Sequence, residues 1–281
     1  MLKYAADYFV FVVDDADVVA CMKEYFPVVT FLGQVCFLFE HKELKFLVDP
    51  YFTNSVAEKE NPEFTRMVPI MLNPEQLDDI AFVLITHAHR DHCDIDTLLP
   101  LSVASPQCQF YGPEAVVAAL LGAGVCGDRV HLAGVEPITA SGVEISVVPS
   151  AHPKVEPDCN GGWREVGYVF NLAGTVFYHP GDTAVTAEVI EAVKSCTSID
   201  VGLLPVNEIN YYRNQQGIIG NMSVREAFHF AEELGMTTVI PTHWDMFAEN
   251  QVYKEELELL YDRIAPDFEL IILDAGSIYA G

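Results

Sequence analysis

The residues best suited to chemistry in this sequence lie in one short motif, His87-Ala88-His89-Arg90-Asp91-His92. The motif follows an apolar run at residues 80–86, which is typical of a strand buried within a parallel or mixed sheet. Imidazole and carboxylate groups together bind divalent cations such as Zn, Mn or Fe. A single histidine beside an apolar strand is usually a packed core residue, but three histidines with Asp91 among them predict a metal site.

Three further residues of ligand type each follow a β-branched, apolar run. His152 follows residues 145–151, Asp182 follows residues 175–181, and His243 follows residues 237–242. Functional residues concentrate where a strand ends and the chain turns into a loop. We therefore expect these three residues to lie beside the first motif. The seven candidate metal ligands are His87, His89, Asp91, His92, His152, Asp182 and His243.

Strands and helices alternate along the chain, and the predicted helices connect the strands whose ends carry the candidate ligands. Helices are predicted at residues 94–101, 113–121, 184–195 and 250–264. Ser223 and Glu226 form a capping box, which predicts a helix that continues to Leu234. Residues 51–72 show no clear periodicity, and a long irregular segment of this kind is typical of a lid or a binding loop.

The order of the candidate ligands resembles that of the metallo-β-lactamase-fold hydrolases: H-x-H-x-D-H, then a His, a Gly-Asp-Thr and a final His. The resemblance extends from about Val28 to the C-terminus. Several stretches are similar, more narrowly, to the L-ascorbate-6-phosphate lactonase branch. They are residues 31–34, 47–50, 87–95, 178–183, 217–218 with Met222, and 240–243.

The resemblance implies a four-layer αββα sandwich, in which two mixed β-sheets lie between layers of helices. A chain of 281 residues fits one large domain of this kind. Residues 1–27 precede the resemblance and form an N-terminal extension, with a strand predicted at residues 8–13 and a helix from Asp14-Asp15 to Tyr25. This extension packs either on a sheet edge or on another subunit, and the sequence does not decide between them.

The resemblance also implies two divalent metal ions, Zn or Mn, with Fe as an alternative. The first would be held by His87, His89 and His152, the second by Asp91, His92 and His243, with Asp182 as a bridge. Two such cations lower the pKa of a bridging water toward ~7 and so supply a hydroxide at neutral pH. That hydroxide would attack a carbonyl or phosphoryl centre.

The resemblance also gives a role to Asp91 beyond metal binding, and roles to two further residues. Asp91 is the catalytic residue, which orients the hydroxide and then carries a proton to the leaving group. Asp49 matches a carboxylate that orients a ligand imidazole from beneath the metals. His179 either supports the ligands in the same way or is simply packed in the core.

The preferred activity is hydrolysis of a lactone or ester-like carbonyl, of a sugar acid or a sugar phosphate. A phosphate would require nearby Arg or Lys to offset its charge. Candidate substrate contacts are Arg90, Trp163, Arg213, Gln216 and Asn221, and further cations are Arg66, Lys154 and Arg164. In the lactonase branch the loop matching residues 215–222 is more basic. Gln216 and Asn221 stand here in place of charged residues, which weakens the case for a phosphate.

Two alternatives to carbonyl hydrolysis stay open. Residues 32–34 also resemble the N-acyl-phosphatidylethanolamine phospholipase D branch, which favours a phosphodiesterase of the same fold. The other alternative is a protein that binds metal for folding only, without catalysis. The complete ligand set, Asp91 included, argues against that alternative.

The composition of the chain indicates which binding partners it excludes and which cellular compartment it favours. A formal net charge of −26 repels phosphate backbones and so excludes nucleic acid and anionic membranes as partners. The cysteines number 7 and include no C-x-x-C pair, which predicts free thiols in a reducing cytoplasm. No signal peptide is recognisable, and no apolar run reaches the ~18 residues of a membrane span. We expect a cytoplasmic protein that binds a small-molecule substrate, with a homo-oligomer left open.

Overall fold

Two β-sheets stacked face to face form the centre of the computed structural model, which describes residues 9–11 and 16–281. In spatial order, the strands of the first sheet are β1 (Phe9–Phe11), β15 (Ile278–Ala280), β2 (Val28–Phe31), β3 (Phe37–His41), β4 (Leu44–Val48), β5 (Phe82–Leu84), β6 (Gln109–Gly112) and β7 (Val130–Leu132). Those of the second are β14 (Glu269–Leu270), β13 (Thr238–Thr242), β12 (Val201–Pro205), β11 (Thr175–His179), β10 (Val166–Leu172), β9 (Val143–Pro149) and β8 (Ile138–Ala140).

Both sheets are mixed, as the sequence predicted. Hairpins connect β2, β3 and β4 in the first sheet and β8 to β11 in the second, whereas β4 to β7 and β11 to β14 pair in parallel. Parallel neighbours end at the same edge of a sheet. This topology therefore brings the carboxyl ends of β4 and β5 together, and likewise those of β11, β12 and β13.

The interface between the sheets is filled by aromatic rings. Phe39 and Phe82 both stack on Phe46, at centroid distances of 4.9 and 4.4 Å. From the second sheet, Phe170 and Phe177 meet Phe39 edge to face at 5.1 and 5.3 Å. Each aromatic pair contributes about 0.5–1.5 kcal/mol beyond the area it buries, so this core fixes one sheet on the other.

Helices cover the outer faces and complete the four layers. The helices are α1 (Ala16–Lys23), α2 (Ser55–Lys59), α3 (Ile95–Ala104), α4 (Glu114–Gly122), α5 (Ala187–Lys194), α6 (Tyr211–Gln215), α7 (Val224–Leu234) and α8 (Lys254–Ile264). Helices α3 and α4 pack on the first sheet, and α5, α7 and α8 on the second. The predicted αββα sandwich is confirmed, and so is the capping box of Ser223 and Glu226 at the start of α7. None of the helices in the described part combines the length and apolarity that crossing a membrane requires.

Several predicted segments differ in detail from the structure. The helices predicted at residues 184–195 and 250–264 span Ala187–Lys194 and Lys254–Ile264. Residues 51–72, predicted to be irregular, contain α2, which at Ser55–Lys59 is too short to show a period in the sequence. In the N-terminal extension, β1 pairs antiparallel with β15 at the edge of the first sheet. The remainder of the predicted strand, and the predicted helix cap at Asp14-Asp15, lie outside the described residues.

Candidate metal centre

The candidate ligands converge at one edge of the stacked sheets. The first motif follows β5, His152 follows β9, Asp182 follows β11, and His243 follows β13. Their ligand-type atoms form two groups, within each of which all atoms lie within 4.8 Å of one another. The first group is His87, His89, His152 and Asp182, and the second group is Asp91, His92 and His243.

Asp182 faces both groups with different oxygens. Its Oδ1 lies 3.4 Å from His92 Nε2 and 3.4 Å from His243 Nε2. Its Oδ2 lies 3.6 Å from His152 Nε2. These separations are longer than a good N–H···O hydrogen bond of 2.7–3.2 Å, so the carboxylate sits between the two groups without bonding tightly to either.

Several buried polar atoms in the centre have no hydrogen-bond partner among the residues that the structure describes. They include His92 Nε2 and Asp182 Oδ1. In addition, His87 Nε2 and His89 Nδ1 face each other at 2.9 Å, where at most one of the two can donate a proton. A buried polar atom left unpaired costs about 1–3 kcal/mol. Divalent cations would satisfy these atoms, and the mixture of imidazole and carboxylate donors suits Zn, Mn or Fe.

The charges in the centre divide its histidines into two kinds. Burial lowers the pKa of His87 well below its usual value and that of His152 to about 4, so both imidazoles are neutral and ready to bind a cation. Burial acts in the same direction on His92 and His243, but there nearby carboxylates outweigh it. Asp182, first among these carboxylates, holds the pKa of His92 well above the usual value and raises that of His243 to about 9. The second group therefore carries protons that a cation would displace.

Asp49 lies beneath the second group and fixes its orientation. The residue follows β4 and is fully buried. Its Oδ2 accepts hydrogen bonds from His92 Nδ1 at 2.8 Å and from the Thr86 hydroxyl at 2.6 Å, and its Oδ1 accepts from the Thr86 backbone N–H at 2.8 Å. Because Asp49 binds Nδ1 of His92, the other ring nitrogen, Nε2, faces Asp182. This is the position that the resemblance implied for Asp49.

His179 makes backbone contacts rather than contacts with the candidate ligands. Its Nε2 donates to the Val35 carbonyl at 2.8 Å, and its Nδ1 accepts from the Gly181 N–H at 3.2 Å. The ring also meets Phe37 edge to face at 5.9 Å. Of the two alternatives for His179, the structure favours a packed residue, which braces the turn that leads to Asp182.

Gln34 was not among the residues predicted for the site, yet it touches the second group at three points. Its side-chain Nε2 donates to Asp91 Oδ2 at 2.7 Å and lies 3.1 Å from His243 Nε2. Its backbone carbonyl accepts a hydrogen bond from the backbone N–H of His243 at 2.6 Å. The residue is buried, with a positive φ of 60°. The signal that could have indicated it is the Gly33-Gln34 pair, which turns the chain between β2 and β3.

A cavity of about 300 Å³ opens above the candidate metal centre. Its floor includes His89, Asp91, His152, Asp182 and His243. Its walls come from the irregular segment at residues 51–72, from the loop at residues 215–222 and from two residues beyond β13. The wall residues are Val56, Glu60, Asn61, Phe64, Gln216, Gly217, Ile218, Ile219, Phe247 and Asn250.

Of the five residues predicted to contact substrate, Gln216 lines this cavity and the other four do not. Arg90 pairs with Glu60, and Arg213 donates to the carbonyls of Glu208 and Gln251. Trp163 packs against the core between the sheets. Asn221 is buried and donates to Asn207 Oδ1. Their positions in the sequence, and for Asn221 the resemblance of its loop, suggested these four residues, but their side chains contact other groups.

Comparison with known proteins places this geometry in a family. A family model described as a beta-lactamase superfamily domain matches residues 45–244. A metal-dependent hydrolase of the UPF0173 group from Pyrococcus abyssi is 27% identical over 250 residues, which are 89% of this chain and 97% of the relative. A probable L-ascorbate-6-phosphate lactonase from Escherichia fergusonii is 27% identical over 232 residues, which are 75% of this chain but 63% of the lactonase.

Among solved structures, the metallo-β-lactamase fold protein YhfI from Bacillus subtilis superposes with a TM-score of 0.64 at 17% identity. The superposition covers 91% of this chain and 100% of that protein. The fold of this chain and the order of its candidate ligands agree with the family model, which covers well over half of the sequence. The chain therefore belongs to the beta-lactamase superfamily and has the metallo-β-lactamase fold.

Proposed function

We propose that this protein is a metal-dependent hydrolase that cleaves a lactone or ester-like carbonyl of a small molecule. The observation that carries the proposal is the convergence of ligand-type residues from four strand ends at the floor of one cavity, with Asp182 facing both groups. The relatives support the proposal, since they include metal-dependent hydrolases and a probable L-ascorbate-6-phosphate lactonase.

In this proposal each of the two groups would hold one divalent cation, Zn or Mn, with Fe as an alternative, and Asp182 could serve as a ligand for both. When bound, such cations lower the pKa of a water molecule and polarise the carbonyl that it attacks. The chain supplies neutral His87 and His152, whose depressed pKa values keep a lone pair available. It also supplies the orientation of His92 through Asp49.

Asp91 is placed to move the proton. Its side chain is 18% exposed and lines the cavity. Burial would raise the pKa of Asp91, but His92 and His243 outweigh burial and hold it below the usual range, so the group is a carboxylate at neutral pH. It can accept a proton from the water that attacks the carbonyl carbon. The same proton can then pass to the alkoxide that leaves when the ester C–O bond breaks.

The cavity favours a carbonyl over a phosphodiester substrate. A phosphodiester carries a negative charge along its whole reaction, and among the described residues no lysine or arginine lines the cavity. A lactone or ester is uncharged before attack. A chromogenic phosphodiester is therefore the appropriate comparison substrate, and we expect slower turnover of it than of a lactone.

The test is hydrolysis of a panel of lactones by protein loaded with Mn or Zn. We expect turnover by the wild type and a loss of at least about a hundredfold in Asp182→Ala and His89→Ala, since each removes a ligand. His229→Ala is the matched control, because His229 is exposed on α7, away from the candidate ligands, and pairs with Glu232. Equal turnover by the wild type and both ligand variants would reject the proposal.

Metal analysis separates catalysis from a purely structural use of metal. We expect protein purified without added metal to contain close to two ions per chain, because two groups are present. If chelation lowers the melting temperature while the loaded protein hydrolyses no lactone, ester or phosphodiester, the metal serves folding only.

A further inference from the structure

Half of the ten wall residues of the cavity have large apolar side chains. Val56, Phe64 and Phe247 belong to one hydrophobic cluster, in which the two phenylalanine rings meet edge to face at 5.5 Å. Ile218 and Ile219 line the cavity from the loop after α6. Its volume of about 300 Å³ lies at the small end of ligand pockets. A small molecule with an apolar substituent fits such walls.

The charged groups of the cavity, apart from its histidines, are all acidic. They are Glu60, Asp91 and Asp182. The remaining polar side chains of the lining are the neutral amides of Asn61, Gln216 and Asn250. In the metal-loaded protein Asp91 and Asp182 would be ligands of the cations, so the carboxylate that remains in the cavity wall is that of Glu60. A negatively charged substituent against that wall would face Glu60 without a lysine or arginine of the described lining to compensate it. Like charges brought together in this way disfavour binding.

Arg90 is the arginine nearest to the site along the chain, and its charge is already paired. Its Nε lies 3.1 Å from Glu60 Oε1, and the two side chains are 28% and 50% exposed. Glu60 lines the cavity, whereas Arg90 does not. Glu60 thus presents a carboxylate to the cavity and holds the guanidinium outside it.

The other cations that could have bound a phosphate are engaged elsewhere. Arg66 and Arg213 donate to backbone carbonyls, the first of them also stacking on the Tyr51 ring at 4.6 Å. Lys154 and Arg164 both pair with Glu156. Each of these four side chains would have to leave its partner before it could bind an anionic substrate.

We propose that the cavity selects uncharged lactones or esters with an apolar acyl part and rejects phosphorylated ones, with Glu60 as the residue that determines this preference. The inference rests on the proposed carbonyl hydrolysis. The net charge of the chain, −26, acts in the same direction, because it repels anions from the whole surface.

The test uses two carbocyclic ketones that mimic the lactone ring but contain no bond that hydrolysis can cleave. One carries a short alkyl chain, and the other carries the same chain with a terminal phosphate monoester. Calorimetric titration of the metal-loaded protein should show at least about tenfold tighter binding of the uncharged ketone. The two matching lactones should show the same preference in kcat/KM.

Glu60→Gln tests the role of Glu60 in this preference. It removes the carboxylate from the cavity wall and leaves the Arg90 guanidinium without its ionic partner. We expect the ratio of the affinities for the uncharged and the phosphorylated ketone to fall by about tenfold in this variant. Glu63→Gln is the matched control, since Glu63 is exposed in the same loop and does not line the cavity, and it should keep the full preference.

Equal or tighter binding of the phosphorylated ketone would overturn the inference, whatever the lactones show. An unchanged preference in Glu60→Gln would overturn the role of Glu60. If the uncharged ketone binds preferentially but neither lactone is hydrolysed, the charge preference stands and the proposed hydrolysis fails.

Discussion

The side-chain amide of Gln34 donates a hydrogen bond of 2.7 Å to Asp91 Oδ2. An ionised carboxylate can only accept, so the amide must direct its N–H group at Asp91. The backbone carbonyl of Gln34 also accepts a hydrogen bond from the backbone N–H of His243. One turn of the chain thereby fixes two of the three residues in the second group, although neither is near it in sequence.

We predict that Gln34→Ala weakens the binding of the second metal ion about tenfold, the low end of what is seen when a partner of a metal ligand is removed. Asp91 would lose its fixed orientation while the first group stays intact. Competition with a chromogenic chelator measures the two affinities separately. Gln76→Ala, at an exposed glutamine in a short turn, should leave both affinities unchanged. Two unaltered affinities in Gln34→Ala would show that Asp91 needs no support.

Asp49→Asn should reduce both metal affinity and stability. Asp49 accepts three hydrogen bonds, and an amide in its place would present a donor to one of the donors of Thr86 or His92. We expect a loss of about 3 kcal/mol in the free energy of unfolding, as for other broken buried pairs. The loss of metal affinity should be about 10–100-fold. Denaturant melts and metal content are the measurements.

The control for this variant is Asp79→Asn, because Asp79 pairs with Lys45 at the surface. Surface pairs contribute at most about 1 kcal/mol. A similar loss of stability in the two variants would show that the buried contacts of Asp49 add nothing beyond an ordinary ion pair.

The ligand set could be predicted from sequence because each ligand follows an apolar strand, and strand ends of parallel pairs meet at one edge. His152 and Asp182 follow β9 and β11, which both run antiparallel to the strand between them, β10, and therefore end at the same edge. Gln34 and Glu60 could not be predicted in this way. Both lie in irregular segments, and their contacts depend on how loops from distant parts of the chain fold over the sheet edge. Arg90 was predicted to contact substrate because its neighbours along the chain are candidate ligands. In the structure His89 faces the cavity, whereas the Arg90 side chain pairs with Glu60.

We predict that the metal-free protein loses stability as pH rises from about 6.5 to about 9. Burial opposes a charge on His243, but Asp182 and Asp91 outweigh it and raise its pKa to about 9. A histidine whose pKa rises on folding stabilises the protein in full below its unfolded pKa of about 6.5, and this contribution disappears as pH passes the folded value. For His243 the difference is on the order of 3 kcal/mol. His92, whose pKa is also raised, contributes in the same direction.

Thermal melts of chelated protein across this pH range are the measurement. Added zinc should restore more stability at the upper end, because fewer protons must then be displaced. Chelated His243→Gln should show a smaller fall than the wild type, whereas His229→Gln, at the exposed histidine of α7, should show the full fall. A metal-free wild type whose stability is constant or increases over this range would contradict the charge assignment.

The turn before Asp182 depends on the absence of a side chain at Gly181. This residue has a φ of +63°, and a Cβ there would lie 2.5 Å from both Cβ and Oγ1 of Thr86. Gly181→Ala must therefore displace Thr86 or Asp182, and Thr86 also holds Asp49 in place. We expect a loss of at least about 3 kcal/mol, from left-handed strain and overpacking together, and a protein that binds less than its full complement of metal.

Gly174→Ala separates the two causes. Gly174 also has a positive φ, +101°, but no described atom lies within 4 Å of a Cβ built there. Backbone strain alone should cost this variant about 1 kcal/mol, with metal content unchanged. Because both variants make the same substitution in the left-handed region, any additional loss in Gly181→Ala measures the contact with Thr86. Matching melting temperatures and full metal content in both would show that the centre tolerates a shifted Asp182.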